Sequence, residues 1–154
     1  MSFTKTILAW ISAFVVMFLL SMLWYGVIVS GYNGQQFANV LRGPEDFSML
    51  LIIIGYLVMA FILAALYPRG YKGNGNPISQ GLRFGLWMGL LWALPTALIE
   101  SGSYQFPLGA RLLDTAYHLV EFIIAGLVIS WVYGHIETAT AAPAAPATDT
   151  GASI

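Results

Sequence analysis

Four stretches of this chain are long and apolar enough to cross a lipid bilayer, and most other readings follow from them. A hydrocarbon layer about 30 Å thick needs about 20 mainly apolar helical residues, each rising about 1.5 Å. The stretches run from Ile7 to Ser30, Ser48 to Tyr67, Gly81 to Glu100 and Arg111 to His135. The first two hold no charge, the third has only Arg83 and Glu100, and the fourth carries Asp114, His118 and Glu121 inside it. The expected fold is therefore all-α, a bundle of four transmembrane helices over residues 1–137. Of the 154 residues, 58% are hydrophobic and 8% are charged, for a net charge of −1. A soluble domain carries about 25% charged residues. So poor a supply cannot cover a surface in water, which excludes a freely soluble enzyme. The even balance lacks the basic stripe that a nucleic-acid binder needs.

The first stretch is too long for a signal-peptide core, and no A-x-A-like cleavage site follows it, so it reads as an uncleaved anchor. Lys5, Arg69, Lys72 and Arg83 fall on one side of the bilayer, and Arg42 and Arg111 on the other. Positive charge collects in cytoplasmic loops, so both termini are expected in the cytoplasm. Asn33-Gly34 and Gly43-Pro44 mark turns, Phe37 to Leu41 fits a short interfacial turn of helix, and Ser79 can cap the third span. The glycines of residues 68–78 (PRGYKGNGNPI) match no phosphate-binding spacing and read as a tight inter-helix loop. The Ala/Pro/Thr-rich stretch 138–154 has no apolar face and is expected to be disordered. With no cysteine, disulfides, thiolate metal sites and cysteine nucleophiles are excluded. Trp24-Tyr25-Gly26 and Trp131 to Gly134 fit interfacial aromatic belts.

On the third span Gly81, Gly85, Gly89, Ala93 and Ala97 recur at four-residue spacing. That spacing stacks them on one face, a smooth ridge for close packing. Its partner is either another helix of the same chain or a second copy. Pro95 in the same span predicts a kink and frees the Leu91 carbonyl, which Thr96 or a water could serve. Trp87 and Trp92 read as ordinary packing, with an apolar pocket as the other option.

Asp114, His118 and Glu121 share one helical face within about 60°. Charge at membrane depth costs about 2.5–3.5 kcal/mol per residue even on the gentler scales, so the three must point inward. Ser21 and Tyr25, Tyr56, and Thr96 with Glu100 reach a similar depth from the other spans. These eight residues are the expected lining of a polar pocket in the outer half of the membrane. Glu121 with His118 could share a proton, and Arg111 could neutralise Asp114 three residues away. Two uses fit: a proton relay, or a grip on a cationic or hydrogen-bonding ligand. The competing view is a structural hydrogen-bond network, which at about 0.6 kcal/mol per bond returns little for the cost of insertion. One histidine makes a metal site thin, and no carboxylate-x-x-His pair recurs on a second helix. His118 and His135 stand roughly 25 Å apart along a helix, too far for one haem. His135 reads as a helix-end cap. No catalytic residue, metal ligand or cofactor is assigned.

The first span ending in LWYG, the run YPRGYKGNGNPISQGLRFGLWMGLLWALPTALIE and the closing AYHLVEFIIAGLVISWVYG are similar to an uncharacterised family of small four-helix bacterial membrane proteins. The resemblance covers about residues 5–135. It implies a bacterial inner membrane and a four-helix bundle, and it carries no established activity. Beyond the lipid bilayer, the partners left open are a second copy joined through the glycine ridge, or a larger membrane complex. The leading functional reading is a ligand-binding or proton-relaying membrane protein. The alternative is a non-catalytic accessory or assembly subunit, and an intramembrane enzyme ranks below both.

Overall fold

The computed structural model describes residues 3–36, 42, 45–70, 75–105 and 107–140. The interfacial turn expected over Phe37 to Leu41 lies outside them, as do the turn at Gly43-Pro44, the tail from 141 onward and the side chain of His135. The chain forms α1 (Phe3–Leu23), which continues through a π-helical turn (Trp24–Ile28), then a short α2 (Ser30–Gln36), α3 (Met49–Gly70), α4 (Pro77–Ser103) and α5 (Leu108–Thr140). Four of these helices are long and apolar enough to span a membrane. The protein is an all-α transmembrane bundle.

The helices overrun the apolar stretches, because backbone hydrogen bonding continues into the interface where side chains turn polar. α5 keeps its helical backbone to Thr140, three residues into the segment read as tail. α4 starts at Pro77, and its cap is Asn76 rather than Ser79: the Asn76 side chain accepts from the Ile78 N–H at 2.9 Å. Proline at the first helical position has no orphan donor to satisfy and arrives with its φ already set, so the start moves four residues upstream of Gly81. Pro68 sits inside the last turns of α3 and leaves the Ala64 carbonyl without its helical donor. Tyr133 of α5 supplies the missing hydrogen at 3.2 Å. At Pro95 the expected repair differs. Thr96 donates to the Trp92 carbonyl at 2.6 Å, one residue past the carbonyl that Pro95 frees.

α5 packs along both α4 and α1, α1 packs along α3, and α3 and α4 make no extended contact. The five ridge residues of α4 are all buried. A Cβ on Gly81 would lie 2.7 Å from the Gly126 carbonyl oxygen, and one on Gly85 would lie 2.6 Å from Ile123 Cα. The ridge is therefore covered by the backbone of α5 in the same chain, with Gly126 answering from the other side, and it offers no free face to a second copy. Alanines seal the other seams. Ala9, Ala13 and Met17 of α1 meet Ala60, Leu63 and Ala64 of α3 and Phe122, Ala125 and Ile129 of α5. At the end holding both the start of α1 and the end of α5, Tyr133 pairs with Thr6 at 2.9 Å, and Tyr67 donates to Ser130 at 2.7 Å. Ser130 in turn donates to the Pro77 carbonyl. This pins all four long helices and leaves the opposite end to the ionisable groups.

Candidate functional site

Helical spacing brings Asp114, His118 and Glu121 to one side of α5, and all three are buried, with Glu121 fully so. They face α1 across the π-helical turn. There the Val29 N–H bonds the Trp24 carbonyl at 2.9 Å, one residue further back than in an α-helix. The extra residue changes the angular register, and such turns recur at functional sites. Here the turn carries Tyr25, whose hydroxyl donates to Asp114 Oδ1 at 2.6 Å and lies 3.1 Å from His118 Nε2. The other ring nitrogen, Nδ1, is 2.8 Å from Glu121 Oε2. Glu121 Oε1 accepts from Tyr117 at 3.0 Å, and Asp114 Oδ2 accepts from Arg111 at 3.1 Å. Arg111 also pairs with Glu100 of α4. From α3, the Tyr56 hydroxyl interacts with both Ser21 and Glu121. Aromatic rings enclose the group. Trp24 stacks on Tyr117 at 4.7 Å, and Trp92 of α4 meets His118 edge-on at 4.8 Å.

Seven of the eight residues singled out from sequence thus join one cluster: Ser21, Tyr25, Tyr56, Glu100, Asp114, His118 and Glu121. Thr96 does not, because its hydroxyl bonds the backbone of its own helix. Tyr117 was missed, although it stands four residues before Glu121, a spacing that lets the two side chains meet. Trp24 and the π-helical turn have no sequence signal we can identify. The polar groups bond to one another, and the open space beside them is apolar. A groove of about 750 Å³ runs between α3 and α4, with Tyr56, Trp92, His118 and Phe122 in its wall. A smaller one of about 330 Å³ lies between α1 and α5 beside Trp24, Tyr117 and Glu121. Trp87 is exposed on the outside of α4. Among the described residues, no group of three or more His, Cys, Asp or Glu is placed to hold a metal ion.

The geometry permits a count of hydrogens. Three hydrogen bonds in series link Asp114, Tyr25, His118 and Glu121. A neutral tyrosine brings one hydrogen and a neutral imidazole one, while ionised carboxylates bring none. The third bond needs one further proton, wherever it resides. With Tyr25 donating to Asp114, its oxygen accepts from His118 Nε2–H, and the added proton lies on the line between Nδ1 and Glu121. The pair is then imidazolium with carboxylate, or imidazole with carboxylic acid. Shifting each hydrogen along the series moves the extra proton to Asp114 without displacing a heavy atom.

A multi-pass helical membrane protein with a buried acid–imidazole–phenol series is the class these features define. The chain belongs to the family described as "Protein of unknown function (DUF1761)", whose sequence model matches residues 8–130. No curated protein and no solved structure matches it.

Proposed function

We propose that this is a proton-binding membrane protein of the bacterial inner membrane, in which His118 and Glu121 hold one exchangeable proton in the outer half of the bilayer. The hydrogen count carries this reading: the linked series is complete only with a proton beyond those of its neutral and ionised members. Intramembrane ionisable groups are by default functional, since their insertion is costly. Arg111 and Glu100 form the mouth of the series at the end of the bundle where α4 meets α5. The excess of Lys and Arg at Lys5, Arg69, Lys72 and Arg83 over Arg42 and Arg111 supports cytoplasmic termini, with the site facing outward.

Glu121→Gln tests the proposal. A glutamine amide donates to His118 Nδ1 by itself, so the series closes without the extra proton and the fold is retained. In infrared titration of the purified protein, the wild type is expected to release one proton per chain with a carboxyl or imidazolium signal. The variant is expected to show none at that site. Identical titrations of the two proteins would overturn the proposal.

A further inference from the structure

The groove between α3 and α4 reaches the proton site from the side. Its lining is almost wholly apolar, yet His118 and Tyr56 stand in its wall, His118 bonded to Glu121 at 2.8 Å and Tyr56 interacting electrostatically with it. Its volume of about 750 Å³ is that of a pocket for a drug-sized molecule. Charge decides which molecule. Once the shared proton leaves, Glu100, Asp114 and Glu121 carry three negative charges against the single positive charge of Arg111, and His118 is neutral. A neutral lipid chain in the groove leaves that imbalance in place, whereas a monovalent cation restores what the proton supplied. Small hydrated cations are excluded by the apolar walls. The rings of Trp92, Tyr56 and Phe122 line the groove, and aromatic rings attract an organic cation more strongly where water is absent. Met59 and Met88, also in the wall, adapt their shape to varied hydrocarbon.

We infer that the α3–α4 groove binds a lipophilic organic cation, a quaternary ammonium or phosphonium bearing apolar arms, in exchange for the proton shared by His118 and Glu121. The inference rests on the proton reading above. The cation enters sideways from the lipid, the proton leaves to water, and the net charge of the cluster is unchanged. Tyr25 and Ser21 of α1, Tyr56 of α3, Glu100 of α4, and Arg111, Asp114 and Tyr117 of α5 are the titratable, charged and hydroxyl groups around the exchanging pair.

The probe is tetraphenylphosphonium, titrated calorimetrically into the full-length protein in detergent, in buffers of differing ionisation enthalpy so that released protons are counted. One proton is expected to appear per cation bound. Competition for one site makes the cation's affinity rise by about tenfold per pH unit on the acid side of the proton's titration and level off on the alkaline side. Trp92→Ala is expected to weaken binding at least about tenfold through the lost ring face. Gly55→Phe should abolish it: Gly55 lines the groove, and a Cβ there meets nothing within 4 Å, so the backbone tolerates a side chain whose ring takes up groove volume. Triphenylphosphine oxide, uncharged and of similar shape, should release no proton. If the wild type shows its infrared proton titration but binds no cation, or binds it without proton release, the cation inference falls and the proton reading stands. Undiminished binding by Gly55→Phe also defeats the inference. If the infrared titration is absent as well, both fall.

Discussion

Tyr25→Phe removes a single oxygen atom and tests the hydrogen count directly. The Tyr25 hydroxyl makes the 2.6 Å bond to Asp114 and the 3.1 Å bond to His118. Without it the one hydrogen bond left in the series is the 2.8 Å line between His118 and Glu121, whose hydrogen a neutral imidazole supplies. Asp114 Oδ2 stands 3.7 Å from His118 Nε2, beyond hydrogen-bond reach. The extra proton loses its structural reason to stay. The energetic cost follows from the two bonds. A hydrogen bond to an ionised group contributes about 1.5–3 kcal/mol, and an average side-chain bond within a membrane about 0.6 kcal/mol. Together they put the destabilisation at about 2–4 kcal/mol, below what unfolds a typical domain. The ring is retained, so its edge contact with Tyr117 at 5.8 Å should hold the π-helical turn in place. The control is Tyr117→Phe. It deletes the bond to Glu121 Oε1 and leaves the three bonds of the series, and therefore its proton, intact. Infrared spectra at neutral pH, with unfolding in mixed detergent micelles, read both quantities. Tyr25→Phe should lose the protonated signal while Tyr117→Phe keeps it. Retention of the proton in Tyr25→Phe, or equal loss in both variants, would refute the count.

Two further predictions concern the scaffold. Gly85→Ala drives a Cβ into the Phe122 carbonyl oxygen and to 2.6 Å from Ile123 Cα, so α4 and α5 must part by more than about 0.8 Å to reach ordinary contact at 3.4 Å. Overpacking of this kind costs about 1–3 kcal/mol; Gly102→Ala, with nothing within 4 Å, should be neutral in the same unfolding assay. Tyr133→Phe strips the Ala64 carbonyl of its one donor from outside α3 among the described residues, removes the bond to Thr6 as well, and should cost about 1–3 kcal/mol. In a Pro68→Ala background the backbone N–H returns, so a double-mutant cycle should show a smaller cost there, and an unchanged cost would contradict the repair.

The bundle is legible because it rests on length and spacing. Twenty uncharged residues must cross oil, and glycines four apart must share a face, whatever their partner. The face shared by Asp114, His118 and Glu121 follows from the same arithmetic. What spacing cannot convey is the neighbour. Nothing in the sequence says that α5, rather than a second copy, covers Gly81 to Ala97, nor that Gly126 completes the contact. Tyr25 was a candidate by depth alone. Its aim depends on one extra residue in a helical turn, and the run Trp24-Tyr25-Gly26 reads equally well as an ordinary helix. Asn76 and Thr96 show a related gap. Both are polar residues beside a proline, and the backbone geometry around the ring decides which donor or acceptor each one meets.

The place where the polar series stops limits what it can do. Beyond Glu121 the interior turns to Met17, Ala60, Phe122, Ala125 and Ile129, and the next buried hydroxyl on α5 is Ser130, nine residues on and about 13 Å along the axis. A proton cannot cross that distance through packed alkyl groups. On the proposed reading it therefore enters and leaves by the end where Glu100 and Arg111 lie, and the protein cannot act as a proton wire across the bilayer in this conformation. Proton binding confined to one end does work only if something else senses it. Two lateral grooves adjoin His118 and Glu121, both apolar and both walled by aromatic rings. An occupant arriving from the lipid would meet the same side chains that hold the proton, which makes competition between the two the simplest form of coupling this architecture allows.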